Sequence, residues 1–165
     1  YKNVENLIRA AGLDKRYKLH LLSKITPTRQ RELQNLADQA SANVIFHNGV
    51  TDEQYQELLE TAFAFVSASK DEGFGIPLVE AMARSTPVVV SDLEIFREVA
   101  GEAGTYFEPE SPEKIIAALQ SLENPTTGKS KSETSFDRSK LYSWESSAEK
   151  LHQILIELGS ARSNY

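Results

Sequence analysis

Two carboxylates and two glycines occur within one short stretch, EGFGIPLVE, which runs from Glu72 to Glu80. Gly73 and Gly75 let the backbone come close to a ligand. A helix beginning at the following Pro77 points its first N–H groups and its positive dipole end at that ligand, which favours a phosphate. A carboxylate accepts two hydrogen bonds at once, so Glu80, one turn into the helix, suits the vicinal hydroxyls of a ribose.

A plainer interpretation of the same stretch stays open on residue types alone. Glu72 is then a solvated loop side chain, and Glu80 is an acid favoured near a helix N-terminus by the dipole. Two common phosphate motifs are excluded. A GxGxxG motif would need glycine where Leu78 stands, and no Gly-Lys-Ser/Thr of a Walker A loop follows the glycines.

Apolar periodicity predicts the elements that must position these residues. Strands are expected over 18–22, 44–46, 63–66, 87–90 and 105–107. Helices are expected over 4–11, 27–40, 52–62, 77–84, 95–100, 112–122 and 143–158, with Thr51 and Ser143 as N-caps. Strands alternating with helices predict a Rossmann-like, three-layer α/β/α fold with a mainly parallel sheet, whose ligands bind beyond the carboxyl ends of the strands.

The domain organisation follows from length and local composition. The 165 residues suit one domain, with a core over about 1–122. The segment 123–140 is rich in Ser, Thr and Lys and has one large apolar residue, so it is expected to be a long surface loop or a partly disordered connector. The final helix, 143–158, carries an apolar stripe, and its Trp144 is expected to be a packing residue.

Composition excludes several classes of function. A net charge of −6 argues against a surface that binds nucleic acid. The absence of cysteine removes disulfides and thiolate chemistry, and it fits a cytoplasmic protein. His20, His47 and His152 are far apart in the sequence, so no metal site is expected.

Longer stretches around the two carboxylates resemble a known family. Glu72 and Glu80 have the E-x7-E spacing of retaining GT-B glycosyltransferases of family 4. The segment SASKDEGFGIPLVEAMARSTPVVVSDLEIFREV is similar to that family's EGFGLPxLEAMAxGxPVVxS signature and the ExV segment after it. NVIFHNGVTDEQYQELLETA is similar to its FLGxVxxxELxxLYxxA block. The resemblance covers about residues 1–122 and the YSWE start of the final helix, and it implies the C-terminal half of a GT-B fold.

The resemblance also implies a role for each matching residue. Glu80 would hold the ribose hydroxyls, and Glu72 would lie at the catalytic centre near the donor hexose without acting as a nucleophile. Lys2 would neutralise the diphosphate. The remaining implied contacts are with the diphosphate and sugar from Gly73, Phe74 and Gly75, and with the nucleobase from Gly49 and Val50. Departure of the nucleotide diphosphate would be stabilised electrostatically, with retention of configuration and without a metal or another cofactor.

The resemblance implies that this chain is the donor-binding lobe of a hexosyltransferase. The first strand would precede Tyr1, and a separate N-terminal lobe would bind a sugar, lipid-linked or polysaccharide acceptor, so this lobe alone should bind nucleotide but transfer little. The intact enzyme would be cytoplasmic, with possible peripheral association at the inner face of the membrane. Ser23 and Arg84-Ser85 depart from the family pattern, which has glycine at Ser23 and Cys-Gly at the pair.

Two other functions stay open beside the transferase. The chain could be a non-catalytic nucleotide- or partner-binding module of the same fold, and binding that ignores Glu80 would favour that function. It could also belong to a GT-B-fold epimerase, although the E-x7-E spacing argues against that activity.

Overall fold

The computed structural model describes residues 1–162, and it describes side chains as far as residue 159. Five strands alternate with helices, as the sequence predicts: β1 (Leu19–Leu21), β2 (Val44–Phe46), β3 (Phe65–Ser67), β4 (Val88–Ser91) and β5 (Gly104–Phe107). The helices are α1 (Val4–Leu13), α2 (Pro27–Ala40), α3 (Asp52–Thr61), α4 (Ile76–Ala83), α5 (Glu94–Ala100), α6 (Pro112–Ser121), α7 (Pro125–Ser139) and α8 (Trp144–Arg162).

Every strand pair in the described chain is parallel. β1 pairs with β2, while β4 lies between β3 and β5, so the strands form a pair and a trio rather than one continuous sheet. The amide of Lys70, just beyond β3, donates to the carbonyl of Tyr1 at 2.9 Å. The start of the chain therefore lies beside the carboxyl end of the trio.

The central strand β4 shows why the fold has three layers. Val88 and Val90 point into a core with the residues of α4 and α5. Val89 points to the opposite face, among residues of α1 and α6. All three valines are fully buried, as expected for a strand that is covered by helices on both faces. The predicted Rossmann-like α/β class is confirmed.

The prediction of a surface loop over 123–140 is wrong, because most of that segment is helix α7. Asn124 caps the helix by accepting the amides of Thr126 and Thr127 at 3.0 and 3.2 Å. Polar side chains then dock α7 on other backbone groups. Lys131 Nζ donates to the carbonyls of Glu102 and Gly104, at 2.7 and 2.8 Å. The hydrophobic pattern missed this helix because its buried residues, Ser135 and Ser139, are polar.

Replacing the cap of α7 tests this correction. We expect Asn124→Ala to lower the free energy of unfolding by about 1 kcal/mol, because two first-turn amides lose their acceptor. Urea denaturation measures the change. Thr126→Ala is the matched control, since Thr126 is exposed on the same turn. An equal effect of both substitutions would contradict the capping role.

The final helix, α8, forms as predicted, and Ser143 caps it by accepting the amide of Ser146 at 3.0 Å. Its apolar stripe, however, does not pack on the core. Trp144 is 79% exposed, and Leu151, Ile154, Leu155 and Leu158 are each more than half exposed. The expected packing of Trp144 is therefore not found among the described residues. Within residues 1–162, no helix combines the length and the apolar character needed to cross a membrane.

Candidate functional site

The predicted site residues lie at the carboxyl edge of the trio, where strand β3 gives way to α4. Glu72 lies in the connecting loop, and Glu80 is the fifth residue of α4. Parallel strands turn their carboxyl ends to one edge, and open α/β sheets bind their ligands there. The first residues of the chain reach the same edge, because Tyr1 pairs with Lys70.

Glu72 is held by a basic and a hydroxyl side chain. The ammonium group of Lys2 donates to Glu72 Oε1, and Ser69 Oγ donates to the same oxygen at 2.9 Å. Ser69 is fully buried and accepts from Ser67 Oγ at 3.2 Å. The Glu72 side chain is only 14% exposed. It is therefore a fixed group of the site and not a solvated loop residue.

Lys2 lies where a cation could meet a ligand. Its side chain remains 53% exposed although its ammonium group pairs with Glu72. A bound diphosphate would offer this ammonium group a stronger partner than one carboxylate, since phosphate oxygens accept charge-assisted hydrogen bonds. The structure thus places Lys2 beside Glu72, a pairing that the sequence did not predict.

Glu80 is held from the neighbouring helix. Tyr55, in α3, donates its hydroxyl to Glu80 Oε2 at 2.9 Å. Burial, followed by this hydrogen bond to the carboxylate, raises the pKa of Tyr55, so its hydroxyl stays a donor at neutral pH. The first turn of α4 contains no acidic residue, and Glu80 lies beyond that turn. The dipole-favoured interpretation therefore does not account for its position.

The start of α4 differs slightly from the prediction. The helix begins at Ile76, so Pro77 is its second residue, and the amide of Leu78 donates back to Gly75 at 2.9 Å. Fewer first-turn amides thus face the ligand edge than the sequence suggested. The amide of Ile76 still has no intrahelical acceptor, as is general for a first helical residue.

Gly75 is the glycine that this turn requires. Its φ of 89° lies in the left-handed region, and a Cβ there would be 2.9 Å from Cε1 of the buried Phe96. A Cβ on Gly73 would have no atom within 4 Å. The two glycines of the motif therefore serve different purposes: Gly75 fixes the helix start, whereas Gly73 leaves the loop backbone open to approach.

This contrast gives a matched pair of variants. Gly75→Ala is expected to lower the free energy of unfolding by about 1–3 kcal/mol, because the backbone becomes strained and the new methyl group meets Phe96. Gly73→Ala is expected to stay within about 0.5 kcal/mol of the parent chain. Urea denaturation of both variants measures the difference. A loss on Gly73→Ala as large as that on Gly75→Ala would contradict the assignment.

A cleft of about 390 Å³ opens beside Glu72, between its loop and the start of α5. Four carboxylates line it together with Lys70, Leu93 and Ile95: Asp71, Glu72, Glu94 and Glu98. Such a lining repels phosphates but suits the hydroxyl groups of a sugar, since carboxylates accept their hydrogen bonds. The site therefore has an acidic cleft that suits a sugar and, on its other side, the positively charged Lys2.

The other predicted contacts come from two loops, one after β2 and one before α4. Gly49 and Val50 form the turn between β2 and α3, and Gly49 has a φ of 106° with Lys24 beside it. Phe74 is 40% exposed, and its ring meets that of Tyr142 edge to face at 5.5 Å. Among the predicted site residues, the side chains of Lys2 and Glu72 are in direct contact.

Sequence reasoning missed two features of the site and its surroundings. No sequence motif singles out Tyr55, although a half-buried tyrosine hydroxyl needs a hydrogen-bond partner, which was the available signal. His20 and His47 were expected to be apart. The parallel pairing of β1 with β2 instead stacks their rings, with His47 Nε2 and His20 Nδ1 3.1 Å apart. In the described residues, no group of three or more potential ligands is placed to hold a metal ion.

Known proteins share both the sequence and the fold of this chain. The O-antigen chain mannosyltransferase RfbU of Salmonella typhimurium is 40% identical over 80 residues, which are 48% of this chain and 23% of that protein. Sucrose-phosphate synthase from Thermosynechococcus elongatus has a TM-score of 0.89 at 24% identity, over 97% of this chain and 43% of that one. Anabaena Alr3699/HepE, solved with UDP and glucose, has a TM-score of 0.82 at 17% identity, over 94% and 45% of the two chains.

These comparisons agree with the expected fold, the C-terminal half of a GT-B glycosyltransferase. This chain spans 10% to 31% of the length of the curated relatives it matches. The family model for glycosyl transferases group 1 matches residues 1–136, which is well over half of the chain. On that match, the chain belongs to the glycosyl transferases group 1 family.

Proposed function

We propose that this chain is the donor-binding lobe of a retaining hexosyltransferase that uses a nucleotide diphospho-sugar. The hexose is proposed to be mannose, because the curated relatives include mannosyltransferases. The observation that carries the proposal is the placement of Lys2, Glu72 and Glu80 around the start of α4. In this arrangement Glu80 accepts the ribose hydroxyls, and the acidic cleft beside Glu72 accepts the hydroxyls of the sugar.

The diphosphate lies between these two carboxylates in the proposal. The ammonium group of Lys2 binds the phosphate oxygens, either giving up its contact with Glu72 or keeping both contacts. The amides of Gly73, Phe74 and Gly75 approach the diphosphate and the sugar. As the bond from the anomeric carbon to the diphosphate oxygen breaks, the sugar gains oxocarbenium character and the leaving group gains negative charge. A fixed ammonium group and backbone dipoles stabilise that charge without requiring a metal.

The acceptor belongs to a second lobe in this proposal. Support comes from α8, whose exposed stripe includes Leu151, Leu155 and Leu158. A stripe of this kind on one face of a helix is typical of a surface that another element covers. The acceptor is proposed to be a sugar, lipid-linked or polysaccharide hydroxyl, which attacks the anomeric carbon on the face that the diphosphate leaves. This lobe alone is proposed to bind the donor and to transfer little.

Calorimetric titration with UDP, GDP and ADP tests the proposal on the chain as it stands. We expect one diphosphate to bind preferentially. The corresponding nucleoside, titrated in the same way, should bind much more weakly than that diphosphate. Lys2→Met should weaken binding of the diphosphate and leave the affinity for the nucleoside unchanged. The reason is that methionine keeps the side-chain volume and removes the charge. Equal affinity for the diphosphate and the nucleoside would contradict the phosphate site, and the absence of binding by all three diphosphates would contradict the function.

A further inference from the structure

Besides Tyr55, Glu80 has a second neighbour that could pair with its carboxylate. Arg84 follows Glu80 by four residues, at the C-terminal end of α4, and this is the spacing at which opposite charges pair on a helix. Its buried Nε donates no hydrogen bond within the described chain, although Arg84 forms an ion pair with Glu60 Oε1 at 3.6 Å. The Nε of Arg84 is therefore an unsatisfied hydrogen-bond donor, four residues from Glu80 at the end of the same helix.

Pairing with Tyr55 and pairing with Arg84 would place the Glu80 carboxylate at opposite ends of its reach. α4 starts at the carboxyl edge of the trio and runs away from it, so a Glu80 side chain that turns to Arg84 leaves the ligand edge. The hydroxyl of Tyr55 instead holds Oε2 at 2.9 Å. A carboxylate has about four acceptor positions, so one bond from a phenol leaves the others available to a ligand.

Tyr55 is itself held firmly. It lies in the first turns of α3, where Thr51 and Gln54 form a capping box and the Tyr55 amide donates to the Thr51 carbonyl at 2.9 Å. Its ring packs against the buried core that contains Leu59 and Leu78. The hydroxyl therefore presents a fixed donor to a side chain that otherwise has several rotamers.

We infer that Tyr55 is a positioning residue, which keeps the Glu80 carboxylate at the ligand edge and away from Arg84. The inference rests on the proposed function, in which Glu80 accepts the ribose hydroxyls of the donor. Tyr55 acts through Glu80 and does not itself touch the reacting atoms. It therefore sets the affinity for the ribose part of the nucleotide and for no other part.

The test compares nucleotides with and without ribose hydroxyls. Calorimetric titration of Tyr55→Phe with UDP, GDP and ADP is expected to show an affinity about 3- to 10-fold lower than the parent chain, as for the loss of one hydrogen bond of ordinary strength. The 2′,3′-dideoxy forms of the same diphosphates should bind the variant and the parent equally. A uniform loss on both sets would overturn the inference, since a packing defect does not distinguish them.

A second variant tests the competition directly. Adding Arg84→Met to Tyr55→Phe should restore most of the lost affinity, because the competing partner is gone. Tyr17→Phe is the matched control: Tyr17 also donates to a glutamate, Glu123, but it precedes β1 and so lies at the opposite edge. It should leave every affinity unchanged, and failure of Arg84→Met to restore binding would overturn the role of Arg84.

Glu80→Ala separates this inference from the proposed function. If Glu80→Ala weakens the ribonucleotides and Tyr55→Phe does not, the ribose site stands and the positioning role of Tyr55 is overturned. If Glu80→Ala also leaves the affinities unchanged, the proposed ribose contact itself is overturned.

Discussion

Glu80→Ala is expected to lower the affinity of the chain for its nucleoside diphosphate by about 10- to 100-fold, the equivalent of two hydrogen bonds of ordinary strength. The fixed position of the carboxylate is the reason. Tyr55 holds Oε2 at 2.9 Å, so little ordering remains to be done when the ribose arrives. Calorimetric titration of the parent and the variant measures the change.

The control for Glu80→Ala removes an equivalent carboxylate from the other edge of the sheet. Glu123 also accepts a tyrosine hydroxyl, that of Tyr17, and Glu123→Ala should leave nucleotide affinity unchanged. Glu80→Gln should fall between the parent and Glu80→Ala, since an amide keeps one oxygen and loses the charge. Unaltered affinity in Glu80→Ala would instead favour a binding module of the same fold that does not use this residue.

The sequence predicted the elements whose signals are local. The continuous apolar run Val88–Val90 marked a strand buried on both faces, and the structure buries all three valines. The capping box at Thr51 and Gln54 marked the start of α3 to the residue. These predictions were correct because the determining contacts lie within one or two turns of the residues themselves.

Features that depend on distant contacts were not predictable in this way. Helix α7 docks through Lys131 and Arg138 on carbonyls that lie 27 to 40 residues away in the chain. The stacked histidines depend on the register of β1 and β2. The pairing of Tyr55 with Glu80 joins two helices 25 residues apart. No local pattern encodes such pairs, so the sequence gives the candidate residues of the site but not the side chains that orient them.

The exposed stripe of α8 shows a further limit of local patterns. Apolar periodicity correctly predicts that a helix has one apolar face, but it does not say what covers that face. Trp144 was expected to pack, whereas its side chain is largely exposed in the described residues. The helix was predicted correctly, but the pattern did not indicate whether its apolar face would be covered.

Phe96→Ala is expected to cost about 3–5 kcal/mol of the free energy of unfolding, the range for removing a large buried aromatic side chain. Phe96 is 1% exposed and lies in the core formed with Leu78 and Val90. Phe136→Ala is the control, because the Phe136 side chain is 44% exposed on α7 and its loss should cost well under 1 kcal/mol. Urea denaturation at constant pH compares the two.

The same ring connects the core to the start of α4, which makes the effects of two substitutions non-additive. A methyl group on Gly75 meets Cε1 of Phe96, so part of the cost of Gly75→Ala arises from that ring. In the Phe96→Ala background, Gly75→Ala should therefore cost less than in the parent chain, by about 0.5 kcal/mol or more. The part that remains is the strain of a φ of 89°, which the cavity cannot relieve. Strict additivity of the two substitutions would show that Phe96 does not support the turn.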